Sequence, residues 1–438
     1  MKDSDWITIF KLKEFTSYFD IKDLIQLSLC CQKFRKCLII EISRSFNFTS
    51  FVKNHDYKSC TVVEEDEEYK IIEPLLAELC SIDEAGLVYY VHNPYKPLTS
   101  KFIESKDQFV SDLKQLQNQP ILLKIKFLAD YHYLLYDVPS VFTKLSTIII
   151  SGSQLKLEEL QYLLNNLKYL SDLELSKNRL LQYSQDLNQT FINWSDSLKK
   201  LKIFDNVIAY LQDNENSVPS DYGFMQTTAV ESIKLAPKCL SKLVYFECNS
   251  FSLQFEAYGY WKFFQHNPQI KDLKIGCHRF NFHLFTAISC IEGLDHLDLI
   301  SNSYNMSESE LNHIPLNNTV TKLTIHLNNS FERGDKLIEK FPNLKELFIE
   351  MSSESYYDLF ALMKKFPNIN SLKLKINLKS SEIVDITFPK LDNLTSLVLN
   401  LNSSIDFSDF NCNVSSCTNL KGIKFTKNGQ TFQWISLI

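Results

Sequence analysis

Along most of this chain, apolar residues recur at positions one, four and six of a short frame, with Asn or Cys at position nine. Residues 167–178 read LKYLSDLELSKN, and Leu170, Leu173, Leu175 and Asn178 occupy those positions. The frame returns at Leu198, Leu201, Ile203 and Asn206, and at Leu240, Leu243, Tyr245 and Cys248. Leu122 to Asp130, Leu145 to Ser153, Ile270 to His278 and Leu344 to Ser352 fit except at the last position. From Ile270 the frames start at 270, 294, 320, 344, 369, 394 and 420, in steps of 24, 26, 24, 25, 25 and 26. Apolar patterns arise by chance, but not in so regular a register. Alternation of apolar and polar residues predicts a short strand with one face inward. Between frames the period turns helical, as in Leu157, Leu160, Leu164, Leu167 and in Leu359, Leu362, Met363, Phe366. Phe-Pro-Asn at 341–343 and 366–368 ends such helices, because Pro disfavours a helical residue before it.

Two regions break the pattern. Residues 7–38 have a helical period instead: Phe15, Tyr18 and Phe19 mark one face, and Asp20 caps a second helix with Leu24, Leu27 and Cys31 on its face. Phe34 and Leu38 continue the apolar side. A module of about forty residues is too small to be stable alone, so it must pack on a neighbour. The acidic run Glu64–Glu68 predicts a solvated loop. Around it, residues 46–119 read as a linker with degenerate first coils, including a helix over Ile71–Leu79 and a strand over Leu87–Val91. The second break is the step of 42 from Leu198 to Leu240. Gln212–Thr228, rich in Asp, Asn, Ser and Pro, predicts an exposed loop within an insertion over 207–239, with a degenerate coil around Val230, Ile233 and Leu235. It is either a tolerated insertion or a recognition loop.

Composition narrows the classes. The 438 residues are 45% hydrophobic and 22% charged, values of a folded chain. A formal net charge of −6 gives no electrostatic reason to expect nucleic acid as partner. No apolar run is long enough to span a membrane. The start Met1-Lys2-Asp3-Ser4-Asp5-Trp6 lacks a secretory apolar core, so an intracellular protein, cytoplasmic or nuclear, is expected. The 11 cysteines then read as small apolar residues. Neither Cys412/Cys417 nor Cys277, His278, His283 and Cys290 makes a convincing metal set. Phosphate-binding, zinc-hydrolase and nucleophile-elbow motifs are absent, so neither catalytic residues nor a cofactor is expected.

The frame L-x-x-L-x-L-x-x-N/C at this spacing resembles the leucine-rich-repeat family over residues 120–438. The resemblance implies an α/β solenoid: a curved horseshoe with parallel strands on the concave side and helices on the convex side. It also implies that the Asn at position nine hydrogen-bonds backbone groups of adjacent coils. Residues between the inward leucines would then face the concave surface, and Lys202, Phe204, Phe246, His296, His326 and Phe348 are the candidates for holding a protein substrate. A second resemblance lies in residues 1–45. Asp23-Leu24-Ile25-Gln26-Leu27-Ser28-Leu29-Cys30-Cys31-Gln32-Lys33-Phe34-Arg35 is similar to the second half of an F-box, and Phe15-Thr16-Ser17-Tyr18-Phe19 to its earlier element. The Leu-Pro that usually opens the motif is Ile7-Thr8 here. This implies a small all-α module that binds a Skp-type adaptor, and through it a cullin ligase, by way of Phe15, Tyr18, Phe19, Leu24, Leu27, Cys31 and Phe34. The chain would be the substrate-recognition subunit of an SCF-type ubiquitin ligase, with the chemistry in other subunits. The alternative is a repeat scaffold unconnected with ubiquitin, its N-terminal helices a cap.

Overall fold

The computed structural model describes residues 19, 21–58, 90–92, 100–116, 119–128, 131–183, 191–211, 224–250, 257–303, 306–327, 334–352, 368–377, 384–401, 410–427 and 430–436. They form two units, one of residues up to 234 and one of residues 235–438 joined by 199–201.

The first unit has helices α1 (Ile21–Cys30), α2 (Gln32–Ile42), α3 (Phe48–Lys53), α4 (Ser100–Gln115), α5 (Val138–Val141) and α6 (Leu157–Asn166). Its strands are β1 (Ser45–Asn47), β2 (Tyr90–His92), β3 (Leu122–Lys126), β4 (Thr147–Ser151), β5 (Gln154–Lys156), β6 (Asp172–Ser176), β7 (Arg179–Tyr183), β8 (Lys200–Phe204), β9 (Val207–Leu211) and β10 (Phe224–Ser232). β1, β3, β4 and β6 pair in parallel. One backbone motif holds them in register. The carbonyl at position two of each frame accepts both amides that open the next strand: Ile121 and Leu122 bond Arg44, Ser146 and Thr147 bond Ile121, and Ser171 and Asp172 bond Ser146.

β3, β4, β6 and β8 end in the same way. Phe127, Gly152, Lys177 and Asp205, all at position eight, have positive φ of 52°, 57°, 52° and 45°. This left-handed residue swings the chain out of the first sheet. In three of the coils it leads into a second parallel set, β5, β7 and β9. Gly152 is needed twice over: its φ is strained for other residues, and a Cβ there would lie 2.7 Å from a ring carbon of Phe127.

Position nine then carries the expected side-chain ladder. Asn178 Nδ2 donates to Ile150 O and to Asn206 Oδ1, both at 2.8 Å, while its Oδ1 accepts from Ser153 N–H at 3.0 Å. Asn206 repeats this one coil on, donating to Leu175 O at 2.7 Å and accepting from Asn178 N–H at 3.0 Å. Ser153 takes the same place with its hydroxyl, accepting from Leu128 N–H at 3.1 Å.

The structure revises the frame of the first of these coils. Leu123 lies opposite Ile148 and Ile125 opposite Ile150, so the frame runs Pro120, Leu123, Ile125, Leu128 and not from Leu122. Phe127, which the earlier frame would bury, is 73% exposed. Two regions outside the repeat frame also meet. β10 pairs antiparallel with β9, and its first residues pair antiparallel with β2, Met225 opposite Val91. Of the interval expected as an exposed loop, residues 224–228 are therefore sheet, within β10, and residues 212–223 lie outside the described residues. The helix expected over Ile71–Leu79 lies outside them as well.

The second unit has helices α7 (Ala257–His266), α8 (Phe282–Ile288), α9 (Glu308–His313) and α10 (Gly334–Ile338). Its strands are β11 (Tyr245–Ser250), β12 (Asp272–Arg279), β13 (His296–Ser303), β14 (Lys322–Leu327), β15 (Glu346–Ser352), β16 (Ser371–Asn377), β17 (Val384–Thr387), β18 (Ser396–Leu401), β19 (Phe410–Asn413), β20 (Gly422–Lys427) and β21 (Gln430–Ser436). β11, β12, β13, β14, β15, β16, β18 and β20 pair in that order, all parallel. β21 turns back antiparallel on β20. Every framework residue from Ile270 to Phe425 is at most 6% exposed. Burying a side chain of this size stabilises by about 1.5–3 kcal/mol, so the column is the chief source of cohesion. The return legs begin where local chemistry favours a helix: Asn281 Oδ1 caps α8 through Leu284 N–H, and Ser307 with Glu310 forms a capping box at α9. Later the return leg carries an extended segment instead, β17 pairing in parallel with β19. The helix expected over 359–366 lies outside the described residues.

Here too one frame moves. Tyr245 lies opposite Asp272 and Phe246 opposite Leu273, so the framework is Leu243, Phe246 and Cys248. Lys271 and Asp272 both bond Val244 O, which fixes Val244 as position two.

The Asn ladder yields a test of this packing. Asn178→Ala should destabilise by roughly 1–3 kcal/mol for each buried backbone group left unpaired. Replacing the exposed Asn165 should stay within about 0.5 kcal/mol. Urea unfolding of the two variants measures the difference, and equal midpoints would show that the ladder contributes nothing.

Candidate partner-binding surfaces

The register that buries the leucines sets what lies between them. On β11 to β16 one row reads Glu247, Lys274, Asp298, Thr324, Phe348 and Lys373, strand by strand. The next row reads Asn249, Gly276, Ile300, His326, Glu350 and Lys375. Adjacent strands are about 4.8 Å apart, so side chains in these rows reach one another. The Asn249 side chain lies across Gly276, so that a Cβ there would sit 1.2 Å from Asn249 Oδ1 and displace it.

The charges in these rows form one connected chain. Tyr245 donates its hydroxyl proton to Glu247 Oε2 at 2.6 Å. Lys274 Nζ lies 3.1 Å from Glu247 Oε1 and 3.8 Å from Asp298 Oδ2. His326 stands between two carboxylates, with Nε2 at 3.7 Å from Asp298 Oδ1 and Nδ1 at 2.6 Å from Glu350 Oε2. Lys375 holds the other Glu350 oxygen at 2.5 Å. Glu247 and Glu350 are buried, which buried charges tolerate only when paired in this way. A neutral imidazole donates from one nitrogen only, so the full bridge needs the imidazolium. The facing Asp298 and Glu350 accordingly hold the His326 pKa above its ordinary value, although burial opposes them. Phe348 sits within the same group: the His326 ring meets it edge-on at 5.8 Å, and Lys373 Nζ lies 4.7 Å over its face.

The expected substrate-holding residues thus separate. His326 and Phe348 touch each other, while His296 pairs with Asp272 at 3.3 Å. Lys202 and Phe204 belong to the first unit, where Lys202 lies 3.5 Å from Glu174. Phe246 is fully buried and packs on Phe263 and Phe264, so it leaves the surface; Tyr245 and Glu247 take its place. Sequence reading missed Asp298, Glu350 and Lys375 as a group, because charges on three strands combine only once the register is known.

The N-terminal helices form a second surface. Leu24 and Leu38 are buried between α1 and α2, with Phe19, Leu27, Phe34 and Ile42 packed against them. Of the residues expected to meet an adaptor, these four of the described set (Phe19, Leu24, Leu27, Phe34) line the module's own core. Cys31 is exposed, and Phe15 and Tyr18 lie outside the described residues. Among the described residues, the large apolar side chains turned outward are Ile25, Leu29 and Ile39, with Leu29 60% exposed. Ile39 also borders a groove of about 450 Å³ shared with Phe46, Leu116 and Pro120. α2 reaches β1 through only Ser43 and Arg44.

Among the described residues no cluster of His, Cys, Asp and Glu could hold a metal ion, and no helix is long and apolar enough to cross a membrane. Burial pushes the Cys412 thiol up to about 12 and raises that of Cys417, so both remain protonated packing groups. The side chains of Cys277 and His278 lie outside the described residues.

No family model matches the sequence, and no curated protein does. Among solved structures, the chain is similar to the internalin inlF from Listeria monocytogenes, at 13% identity over 82% of this chain and 94% of that one, with a TM-score of 0.30. A chain of the mouse RP105/MD-1 complex matches at 15% identity over 71% and 56%, with a TM-score of 0.35. The leucine-rich repeat domain of APL1B matches at 11% over 81% and 92%, with a TM-score of 0.28. Such distant likenesses leave the fold to be decided by the coils. Their parallel ladder, inward column and Asn ladder make an α/β solenoid of repeating coils.

The bridge through His326 makes the second unit pH-sensitive. A raised folded pKa gives stability that is complete below the unfolded value of about 6.5 and is lost as pH rises through the folded value. Thermal unfolding of the wild type should therefore shift downward over that window, and His326→Gln should flatten the shift. Parallel curves for the two proteins would exclude the bridge as its source.

Proposed function

We propose that this protein is the substrate-recognition subunit of an SCF-type ubiquitin ligase, its N-terminal helices gripping a Skp-type adaptor and its coils holding a protein substrate. The observation that carries the reading is the helix pair α1–α2, whose sequence is similar to an F-box. It keeps a small core of its own and turns Ile25, Leu29 and Ile39 to the outside. Exposed apolar side chains on so small a module favour burial against another protein. The short connection through Ser43 and Arg44 would hold a bound adaptor at a defined place next to the first coil. The chain would supply proximity and orientation, with ubiquitin transfer performed by the other subunits.

Co-purification of the tagged full-length protein with the adaptor tests this. Ile25→Asp with Leu29→Asp changes the outward face and spares the module's core, whereas Leu24→Asp opens that core and serves as the unfolded control. Capture by the wild type, lost in the surface variant at unchanged thermal unfolding, is the expected result. A wild type that captures no adaptor, or a surface variant that captures it equally, would leave a repeat-built scaffold whose helices cap the first coil.

A further inference from the structure

We infer that the outward face of β15, β16, β18 and β20 docks an extended acidic peptide segment, with apolar residues of the segment seated on Phe348 and Val398. The inference names the substrate class for the repeat-borne surface and rests on the receptor reading only in taking that surface as the docking side. In register across these strands stand Phe348, Lys373, Val398 and Lys424. The row beside it holds Glu350, Lys375, Asn400 and Thr426. The outward positions of β16, β18 and β20 in these rows therefore carry Lys373, Lys375 and Lys424 and no carboxylate. On β15, Glu350 is already engaged by His326 and Lys375, and Glu346 by Lys322. Among the described residues, neither Lys373 nor Lys424 has a carboxylate within ion-pair distance, and Lys373 is exposed. The face thus has cationic charge in excess of what its own acids can pair.

The apolar residues set the kind of acid. Val398 separates the two lysines by one strand on each side, roughly 10 Å between them. Acids four residues apart on one side of an extended segment are about 13 Å apart and leave one apolar position between them on that side, a difference in spacing that flexible lysine stems absorb. The apolar residues that share this side with the acids, midway between them and beyond them, would meet Val398 and Phe348, which a run of phosphates could not use. A chain with net charge −6 and carboxylates on the neighbouring strand also disfavours a nucleic acid.

The test uses the full-length protein and three labelled probes: a short peptide whose every second residue is in turn Glu and apolar, so that both lie on one side when it is extended, the same peptide with Lys for Glu, and a single-stranded oligonucleotide of matching charge. Fluorescence anisotropy should show binding of the acidic peptide alone, weakened by rising salt. Lys373→Glu with Lys424→Glu should weaken it about ten-fold or more, and Val398→Asp should weaken it also. Lys373→Ala with Lys424→Ala offers the same reading if charge reversal unfolds the protein. No binding of the acidic peptide, equal binding by the lysine variants, or equally lysine-dependent binding of the oligonucleotide would overturn the inference. Adaptor capture is measured separately on the same variants, so loss of the adaptor reading and loss of this one are distinguishable.

Discussion

A single backbone device underlies both units: the carbonyl at position two of each coil accepts two amides from the next. Asp295 and His296 bond Lys271, Thr321 and Lys322 bond Asp295, Lys345 and Glu346 bond Thr321, and Asn370 and Ser371 bond Lys345. A lone coil cannot satisfy its own strand amides or bury its own leucines, so each coil is stable only on its neighbour. The pairing also fixes register, and a slip of one residue would turn every inward side chain outward.

The outward face follows from that constraint. Because the leucines must point in, the residues between them are brought into rows that no local sequence feature aligns. Glu247, Lys274, Asp298, His326, Glu350 and Lys375 thereby become one network from charges scattered over more than a hundred residues of chain. Its acids are largely withdrawn from solvent, and each is matched by a cation on a neighbouring strand. Among the described residues, the surplus lies in the outward rows of β16, β18 and β20, which hold Lys373, Lys375 and Lys424 and no carboxylate. If this face docks a partner as inferred, its selectivity rests on the charges it leaves unmatched and the apolar residues set among them.

The N-terminal helices obey a different economy of surface. Their period is helical, their core is a few residues, and part of their apolar face is left outside. The first coil starts directly after them at Ser43, within a stretch whose sequence shows little of the repeat. Its strand is nonetheless held by the same two-amide motif at Arg44, because backbone hydrogen bonding does not depend on which side chains are present.

How much was legible depends on what each feature needs. The repeat, its strands, the α6 helix and the role of Asn178 were readable, because periodicity and a recurrent polar position are properties of the sequence itself. Register was not, wherever two frames fitted equally well. Leu122-x-x-Ile125-x-Phe127 and Pro120-x-x-Leu123-x-Ile125 are both apolar patterns, and only the strand opposite, with Ile148 and Ile150, selects the second. The same ambiguity placed Phe246 on the surface when Leu273 opposite it requires it inside. The pairing of Val91 with Met225 was also beyond reach, since two short strands so far apart in sequence carry no sign of each other. The sequence by itself determined that this protein is a stack of leucine-rich coils behind a helical module. Tertiary structure alone decided which side chains share a row, because hydrogen bonds between coils, and not the pattern within one, set the register.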